Sequence, residues 1–231
     1  MSITVILLLI ASYLLGSIPT AVWVGKKFYN IDVREHGSGN AGATNTFRVL
    51  GKKAGVPVLL LDILKGFLAV YLVFLIDNYD SLAEKDRIIA ITNLELSFGF
   101  GAVLGHIFPV FSGFRGGKGI ATLLGIVLAV HPQAALCSLG LFVLILIVTK
   151  YVSLGSMFAG VAFPFFVFFL FDKHVASLNI FSSVVAILIV VTHQKNIIRL
   201  MNKNENKTYL LGKRHKIAVL NEEAEVDEFS K

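Results

Sequence analysis

Long apolar runs dominate this chain and constrain the folds that are open to it. The first run, residues 3–24, contains no charged residue, and a helix of that length, rising ~1.5 Å per residue, crosses a hydrocarbon core ~30 Å thick. The later runs cover residues 54–76, 88–108, 120–130, 134–148, 154–171 and 175–191. Only 16% of the chain is charged and 55% is hydrophobic, which is unlike a soluble domain. The sequence therefore predicts an all-α integral membrane protein.

We expect the first run to stay in the protein as a transmembrane helix. No basic residue precedes it, no small-residue cleavage site ends it, and Lys26 and Lys27 come after it. A secretory signal has its basic residues ahead of the apolar segment.

The number of spans is open between six and seven, because residues 120–130 are too short to cross a membrane as an ideal helix. They merge with residues 134–148 across 131–133 into one kinked helix in the six-span count. They form a helix of their own in the seven-span count.

The distribution of Lys and Arg favours seven spans, because cytoplasmic loops carry an excess of these residues. Seven spans leave only Lys85, Arg87 and Lys173 outside, whereas six spans divide the basic residues almost evenly. We therefore predict seven transmembrane helices with the N-terminus outside and the C-terminus in the cytoplasm. Residues 1–200 form one membrane domain in this prediction, and residues 201–231 form a polar cytoplasmic tail.

The same composition excludes several classes of function. The basic residues behind the net charge of +6 follow the topology, so no nucleic-acid partner is expected. Cys137 is the single cysteine and the histidines are widely scattered, so neither a metal site nor a cofactor is predicted. No Gly-x-Ser-x-Gly elbow and no His-x-x-x-x-Asp pair occurs, which removes two familiar acyl-transfer signatures.

Four polar segments fall at the cytoplasmic ends of the predicted helices, at residues 36–45, 113–119, 150–156 and 193–199. The external connections carry no comparable pattern. Independent motifs on one face indicate a single site built from several loops.

The first segment reads His-Gly-Ser-Gly-Asn-Ala-Gly-Ala-Thr-Asn and is followed by Arg48. Glycines allow backbone N–H groups to converge on an anion, and Ser, Thr and Asn add neutral donors. The alternative is a flexible linker at the membrane surface. The density of Asn and Thr favours a phosphate nest, although neither the Gly-x-Gly-x-x-Gly nor the Walker pattern is present.

The second segment, Gly-Phe-Arg-Gly-Gly-Lys-Gly, opens directly into the run 120–130. Free N–H groups at a helix N-terminus beside Arg115 and Lys118 favour an anion. The alternative is a basic membrane anchor with a glycine turn. Two such loops on one face predict two phosphate-bearing substrates.

The other two segments have both structural and functional interpretations. Ser153 is well placed to cap the helix that begins near it. His193, Asn196 and Arg199 are three residues apart, so they share one face of a helix that leaves the membrane. They either line a site there or belong to an amphipathic segment at the interface.

Charged residues inside apolar runs are costly in lipid. Asp62 and Lys65 are therefore predicted to pair and to face the bundle interior. Glu95 is predicted to face the interior as well. A transporter for an anionic metabolite uses such groups near the midplane and is the main alternative to an enzyme. A lipid-binding scaffold is a second alternative. Polar donors gathered on one face favour the enzyme.

The order and spacing of these motifs resemble the bacterial integral-membrane glycerol-3-phosphate acyltransferases that use acyl phosphate as donor. The resemblance rests on Gly-Ser-Ile-Pro at 16–19, the loop at 37–45 with Arg48, Asp-Ile-Leu-Lys-Gly at 62–66, Gly-His-Ile-Phe-Pro-Val-Phe at 105–111, and the segments 114–119, 151–156 and 193–200. The family pattern continues with a Gly-Thr-Glu or Gly-Glu-Glu element. Here Asn-Lys-Asn-Glu at 202–205 has no glycine, which leaves the role of Glu205 open.

The resemblance implies transfer of a fatty acyl group from acyl phosphate to the sn-1 hydroxyl of glycerol 3-phosphate, giving lysophosphatidate and phosphate as the first step of phospholipid synthesis. It implies a multi-pass enzyme of the bacterial cytoplasmic membrane with its active site facing the cytoplasm. An upstream enzyme that makes acyl phosphate is an expected partner, beside the two substrates and the lipid bilayer.

Two sets of site residues follow from the resemblance. The acyl phosphate would be held by Ser38, Gly39, Asn40, Gly42, Thr44 and Asn45. Glycerol 3-phosphate would be held by Arg48, Lys118, Ser153, His193 and Asn196, which together with Ser38 are the expected catalytic residues. Acyl phosphate is already activated, so no acyl-enzyme is needed, and a donor phosphate oxygen takes the hydroxyl proton in the route that the family favours. His193 is the one side chain here that could act as the base or only orient the substrate.

Overall fold

The computed structural model describes residues 2–76, 83–171 and 175–208. Those residues form α-helices and short helical turns and contain no strand. The helices are α1 (Ile3–Ser17), α2 (Thr20–Tyr29), α3 (Ala43–Leu50), α4 (Lys52–Tyr71), α5 (Glu84–Ile107), α6 (Ile120–Val130), α7 (Pro132–Thr149), α8 (Val152–Phe165), α9 (Ala176–Thr192) and α10 (Gln194–Met201). Two 3₁₀ turns (Leu72–Leu75 and Val110–Ser112) and one π-helical turn (Phe166–Leu170) accompany them.

The helices account for four to six candidate membrane spans. Four segments are long and apolar enough on their own: Lys52–Leu75, Glu84–Ser112, Pro132–Thr149 and Val152–Leu170. Two bent pairs, α1 with α2 and α9 with α10, raise the number to 6 if each pair is one span. The all-helical prediction is confirmed in the described part of the chain, whereas seven spans and the orientation of the termini stay predictions.

Some predicted features lie outside the described residues. They are most of the tail, at residues 209–231, and the external connections at residues 77–82 and 172–174.

The first apolar run is not one helix, as the sequence predicts, but two. α1 ends at Ser17, α2 begins at Thr20, and their axes differ by 42°. Pro19 has no backbone N–H to donate and its ring disfavours a continuous helix, so the chain bends there. α2 then continues beyond the predicted end of the run, to Tyr29.

The fourth and fifth runs form two helices, α6 and α7, which meet at His131. His131 separates α6 from α7 with a backbone φ of −146°. Its ring Nδ1 accepts a hydrogen bond from the amide of Ala134 at 3.4 Å, and Pro132 occupies the first position of α7, where no amide donor is needed. α6 packs mainly on α4, and α7 packs mainly on α8.

The interior contains two apolar clusters. The larger one is formed mostly by residues of α5, α6, α8 and α9, with Phe163 and Ile126 among its buried members. The smaller one joins α2, α3 and the first half of α4 to the segment that connects α2 with α3. This second cluster places the first glycine loop against the helix bundle.

Small residues allow a close contact between α1 and α5. A methyl group on Gly105 would lie 2.7 Å from the amide nitrogen of Ser17 and 3.0 Å from the carbonyl carbon of Gly16. Both contacts involve backbone, which cannot move aside without separating the helices. α1 and α5 therefore need glycine at residue 105.

The substitution Gly105→Ala is expected to destabilise the protein by about 2 kcal/mol, because overpacking forces α1 and α5 apart. The matched control is Gly140→Ala on α7, where nothing lies within 4 Å of the added methyl group. Thermal unfolding in detergent measures both. Equal melting temperatures for the two variants would contradict the close contact.

Candidate active site

The first glycine loop, residues 31–42, is organised by the buried side chain of Asn45. Its Oδ1 accepts hydrogen bonds from the amide of Ser38 at 2.8 Å and from the Ser38 hydroxyl at 3.1 Å. Its Nδ2 donates to the carbonyl oxygens of Val33 at 2.7 Å and His36 at 3.1 Å. Asn45 therefore shapes the loop from below, and contact of its side chain with a phosphate stays a prediction.

The backbone of this loop has the curvature that an anion nest requires. Gly37 and Gly39 have φ values of 62° and 72°, which favour glycine. A side chain at residue 37 would also lie 2.5 Å from Asn45 Oδ1. Gly42 precedes the first turn of α3, whose leading N–H groups have no partner within the helix. Thr44 is exposed in that turn, and Ser38 is half-buried.

The second glycine loop, residues 113–119, leads Lys118 to the N-terminus of α6. Gly119 caps that helix with a φ of 80°, and Gly113 begins the loop with a φ of 66°. The amide of Gly117 donates 3.2 Å to the carbonyl oxygen of His106, which fixes the loop to the end of α5.

An ion pair in the first loop connects the two loops. Arg34 donates two hydrogen bonds to the carboxylate of Asp32, at 2.7 Å and 2.9 Å, and a third from Nη1 to the carbonyl oxygen of Ser112 at 2.8 Å. The guanidinium of Arg34 holds the pKa of Asp32 well below its usual range, although partial burial opposes this. The carboxylate therefore stays charged and keeps Arg34 extended toward the second loop. Nothing in the sequence motifs had distinguished these two residues.

Glu205 enters the site from the segment that follows α10. This segment folds back on the turn between α7 and α8, where the amide of Thr208 donates to the Lys150 carbonyl oxygen at 2.7 Å. Glu205 Oε1 accepts from the hydroxyl of Ser153 at 3.0 Å and from the side-chain amide of Asn196 at 2.8 Å. Ser153 therefore does not cap α8. Tyr151 occupies that position, and the hydroxyl of Ser153 points to the site instead.

Lys118 is at the centre of the second group of predicted residues. Its Nζ donates to the side-chain oxygen of Asn196. Burial lowers its pKa to about 8, the carboxylate of Glu205 opposes this shift, and the guanidinium groups of Arg199 and Arg48 add to it. Arg199 also pairs with Glu205 Oε2 at 3.3 Å. Three cations around one carboxylate leave a surplus of positive charge, which suits a phosphate monoester dianion.

His193 lies at the junction of α9 and α10 and is 2% exposed. Its Nδ1 is 2.8 Å from the carbonyl oxygen of Ile189. A carbonyl oxygen only accepts, so Nδ1 carries the proton and Nε2 has a free lone pair. The axes of α9 and α10 differ by 56°, and the helix predicted after His193 is confirmed, with Asn196 on its buried side.

The structure thus brings together most of the residues that the sequence selects. Lys118 and Asn196 are in direct contact, Ser153 reaches them through Glu205, and Arg48 lies within electrostatic range of the same carboxylate. Ser38, Gly39, Asn40, Gly42 and Thr44 form the separate first loop. Within the described residues, no group of three or more His, Cys, Asp or Glu side chains could hold a metal ion.

Comparison with known proteins identifies the family. The family model described as glycerol-3-phosphate acyltransferase matches residues 6–203. The chain belongs to this family. A glycerol-3-phosphate acyltransferase from Fusobacterium nucleatum is 41% identical over 200 residues, covering 86% of this chain and 95% of the relative. One from Streptococcus equi subsp. zooepidemicus is 45% identical over 207 residues, covering 87% of this chain and 91% of the relative.

A solved structure of the same kind has the same fold. The crystal structure of PlsY, an integral membrane glycerol 3-phosphate acyltransferase in its glycerol 3-phosphate form, aligns with a TM-score of 0.75 and 40% identity over 90% of this chain and 96% of that one. The lysophosphatidic acid form aligns with a TM-score of 0.73. This acyltransferase is therefore a multi-pass membrane enzyme, and the transporter and scaffold hypotheses are set aside.

The pH dependence of this acyltransferase is expected to report the state of Lys118. Above the pKa of about 8 the ammonium loses its proton, so kcat/KM for glycerol 3-phosphate should fall as the pH rises through that value. In Lys118→Arg the cation persists to higher pH, and the fall should move upward. In Glu205→Gln the supporting carboxylate is gone, and the fall should move downward.

Steady-state rates from pH 6.5 to about 10 measure the three profiles. Only the position of the fall is compared, so a lower absolute rate in a variant does not affect the result. Identical profiles for the Lys118→Arg and unsubstituted enzymes would contradict the assignment to Lys118.

Proposed function

We propose that the chain transfers a fatty acyl group from acyl phosphate to the sn-1 hydroxyl of glycerol 3-phosphate. The observation that carries this proposal is the surplus of positive charge around Lys118 beside a separate glycine nest. One phosphate site serves the acceptor, and a second one is needed only if the donor also has a phosphate. An acyl thioester has no such group at its reacting carbon.

The first loop is proposed to hold the phosphate of the donor. Its donors are the backbone N–H groups of the curved segment, with Gly39, Asn40 and Gly42, and the hydroxyls of Ser38 and Thr44. Asn45 acts by holding the loop in shape. The acyl chain then extends among the apolar helices below the loop.

The second group is proposed to hold glycerol 3-phosphate. Arg48 and Lys118 neutralise its phosphate, while Ser153, Asn196 and His193 orient its hydroxyls. Glu205 joins these side chains, since it accepts hydrogen bonds from both Ser153 and Asn196 and pairs with Arg199.

The proposed chemistry needs no covalent acyl-enzyme. The sn-1 hydroxyl oxygen attacks the acyl carbonyl carbon, the bond from that carbon to the phosphate oxygen breaks, and the hydroxyl proton passes to a phosphate oxygen of the donor. The products are lysophosphatidate and inorganic phosphate. Positioning by the two loops and stabilisation of charge by the cations supply the acceleration. The Nε2 lone pair of His193 accepts a hydrogen bond from the other hydroxyl of glycerol 3-phosphate, which orients the substrate and leaves the sn-1 proton for the donor phosphate.

We also propose the topology that this chemistry requires. Seven crossings of the bacterial cytoplasmic membrane, with the N-terminus outside and the C-terminus inside, put both loops on the cytoplasmic face. Residues 1–200 are then one membrane domain, and residues 201–231 are a cytoplasmic tail that starts with the Glu205 segment. The donor comes from an upstream enzyme that makes acyl phosphate.

In the decisive assay, the protein is purified in lipid or detergent and is supplied with palmitoyl phosphate and glycerol 3-phosphate. Phosphate and lysophosphatidate are expected in equal amounts, and both should fall by at least about 100-fold in Ser38→Ala and Lys118→Ala. Ser156→Ala is the matched control, because that hydroxyl donates to Val152 within its own helix. Activity with palmitoyl-CoA but not with palmitoyl phosphate would overturn the donor assignment.

Two substitutions of His193 distinguish orientation from base catalysis. Glutamine retains a hydrogen-bond acceptor but cannot take a proton at neutral pH, so His193→Gln should keep roughly ten times more activity than His193→Ala. Equal losses in the two variants would favour a base. Full activity in His193→Ala would remove both roles.

A further inference from the structure

A buried charged pair that the reaction does not use lies beneath both loops. Asp62 is 0% exposed and Lys65 is 5% exposed, both on α4, and Lys65 Nζ is 2.9 Å from Asp62 Oδ1. The pairing predicted from sequence is therefore confirmed. Charged groups inside a membrane protein are costly, so the contacts of this pair indicate what it does.

The pair is attached to the break in the first apolar run. The hydroxyl of Thr20 donates to Asp62 Oδ1 at 2.6 Å, and Lys65 Nζ donates to the carbonyl oxygen of Ile18 at 2.9 Å. These two residues flank Pro19, where α1 ends and α2 begins. The pair thus holds the start of α2, the helix that leads into the first loop.

The pair also lies next to His106 on α5, a residue that supports the second loop. The ring Nδ1 of His106 is 3.7 Å from Asp62 Oδ1 and 3.1 Å from the hydroxyl of Thr122 on α6. The carbonyl oxygen of the same histidine accepts from the amide of Gly117 at 3.2 Å. Gly117 directly precedes Lys118, and a side-chain carbon at residue 117 would meet the ring Nε2 of His106, so the position of His106 affects the backbone next to the lysine.

Both loops meet above these side chains. A cavity of about 10 Å³ is lined by Ala41 of the first loop, Gly117 of the second, and Thr20, Lys65 and His106 below them. A side-chain carbon at residue 117 would lie 3.2 Å from the carbonyl oxygen of Ala41, which shows how closely the loops approach.

Stability alone does not account for such a pair. Replacing a buried ion pair with apolar residues of similar volume is often neutral or stabilising, whereas removing one partner leaves an uncompensated charge. Asp62 and Lys65 contact the start of α2, which leads into the first loop, and His106, which holds the second loop. Its contacts are those of a common support for the two loops.

We propose that Asp62 and Lys65 are positioning residues that set the placement of the two substrate loops relative to each other. Thr20 and His106 transmit this placement, Thr20 to the first loop and His106 to the second. The expected fall in kcat/KM rests on the proposed reaction between two phosphate-bearing substrates. Its effect on binding of glycerol 3-phosphate depends only on the second loop.

The central test is the double variant Asp62→Leu/Lys65→Met, which removes both charges at similar volume. Its melting temperature should fall only modestly, because apolar burial offsets the loss of the ion pair while the Ile18 carbonyl oxygen and the Thr20 hydroxyl lose their partners. Its kcat/KM should nevertheless fall by at least about tenfold for both substrates. If the pair served stability alone, the folded double variant would instead be as active as the unsubstituted protein.

A milder pair of variants keeps the test decisive if the double variant does not fold. Thr20→Val removes the hydroxyl that donates to Asp62 and should lower kcat/KM roughly fivefold without a matching loss of stability. The control is Thr92→Val, an equally buried threonine on α5 away from the pair. Full activity in a folded double variant, or equal activity in the two valine variants, would overturn the proposal.

Binding of glycerol 3-phosphate, measured by calorimetry on the same samples, separates this inference from the proposed function. If the unsubstituted protein is inactive with palmitoyl phosphate, the proposed donor is wrong, and weaker binding in the double variant still supports the positioning role. If the unsubstituted protein is active and the double variant matches it in rate and binding, only the positioning role fails.

Discussion

The structure depends on one constraint, which is that lipid offers no hydrogen-bond partners to the backbone. Nearly every described residue within the apolar runs is helical for this reason. The exceptions are the places where a side chain supplies the missing partner. The break that Pro19 causes is tolerated because Lys65 donates to the carbonyl oxygen of Ile18, and the break at His131 is tolerated because the imidazole accepts from the amide of Ala134 on α7. At both breaks a polar side chain thus accompanies the irregular backbone.

The same rule explains how a polar site is built at the surface of an apolar bundle. The first loop is irregular over most of its length, and Asn45 satisfies two of its carbonyl oxygens and one amide. The second loop is held by the His106 carbonyl oxygen. Both loops are thus held by polar groups of the helices beside them. The group around Lys118 suits an anion, because the cations Arg48, Lys118 and Arg199 outnumber the carboxylate of Glu205 there.

Much of the site was predictable because its motifs lie at the ends of apolar runs. Lys118, His193 and Asn196 could be selected from local pattern alone, since glycine loops and residues three apart on a helix have a direct local meaning. Glu205 could not be selected, because its role requires the chain to fold back on the turn between α7 and α8. Ser153 shows the same limit. Its position predicts a helix cap, but a carboxylate 52 residues later provides a better partner.

The sequence by itself determined that the protein is helical and lies in a membrane, and it predicted that the anion-binding motifs gather on one face. The length of the apolar runs, the distribution of basic residues and the glycine content are local features of the chain. They can be interpreted without knowing which distant residues are in contact. Only the tertiary structure decided that the first run is bent, that Arg34 links the two loops and that Asp62 and Lys65 lie beneath both. Each of these depends on contacts between residues far apart in the chain, and helix packing alone sets which residues meet.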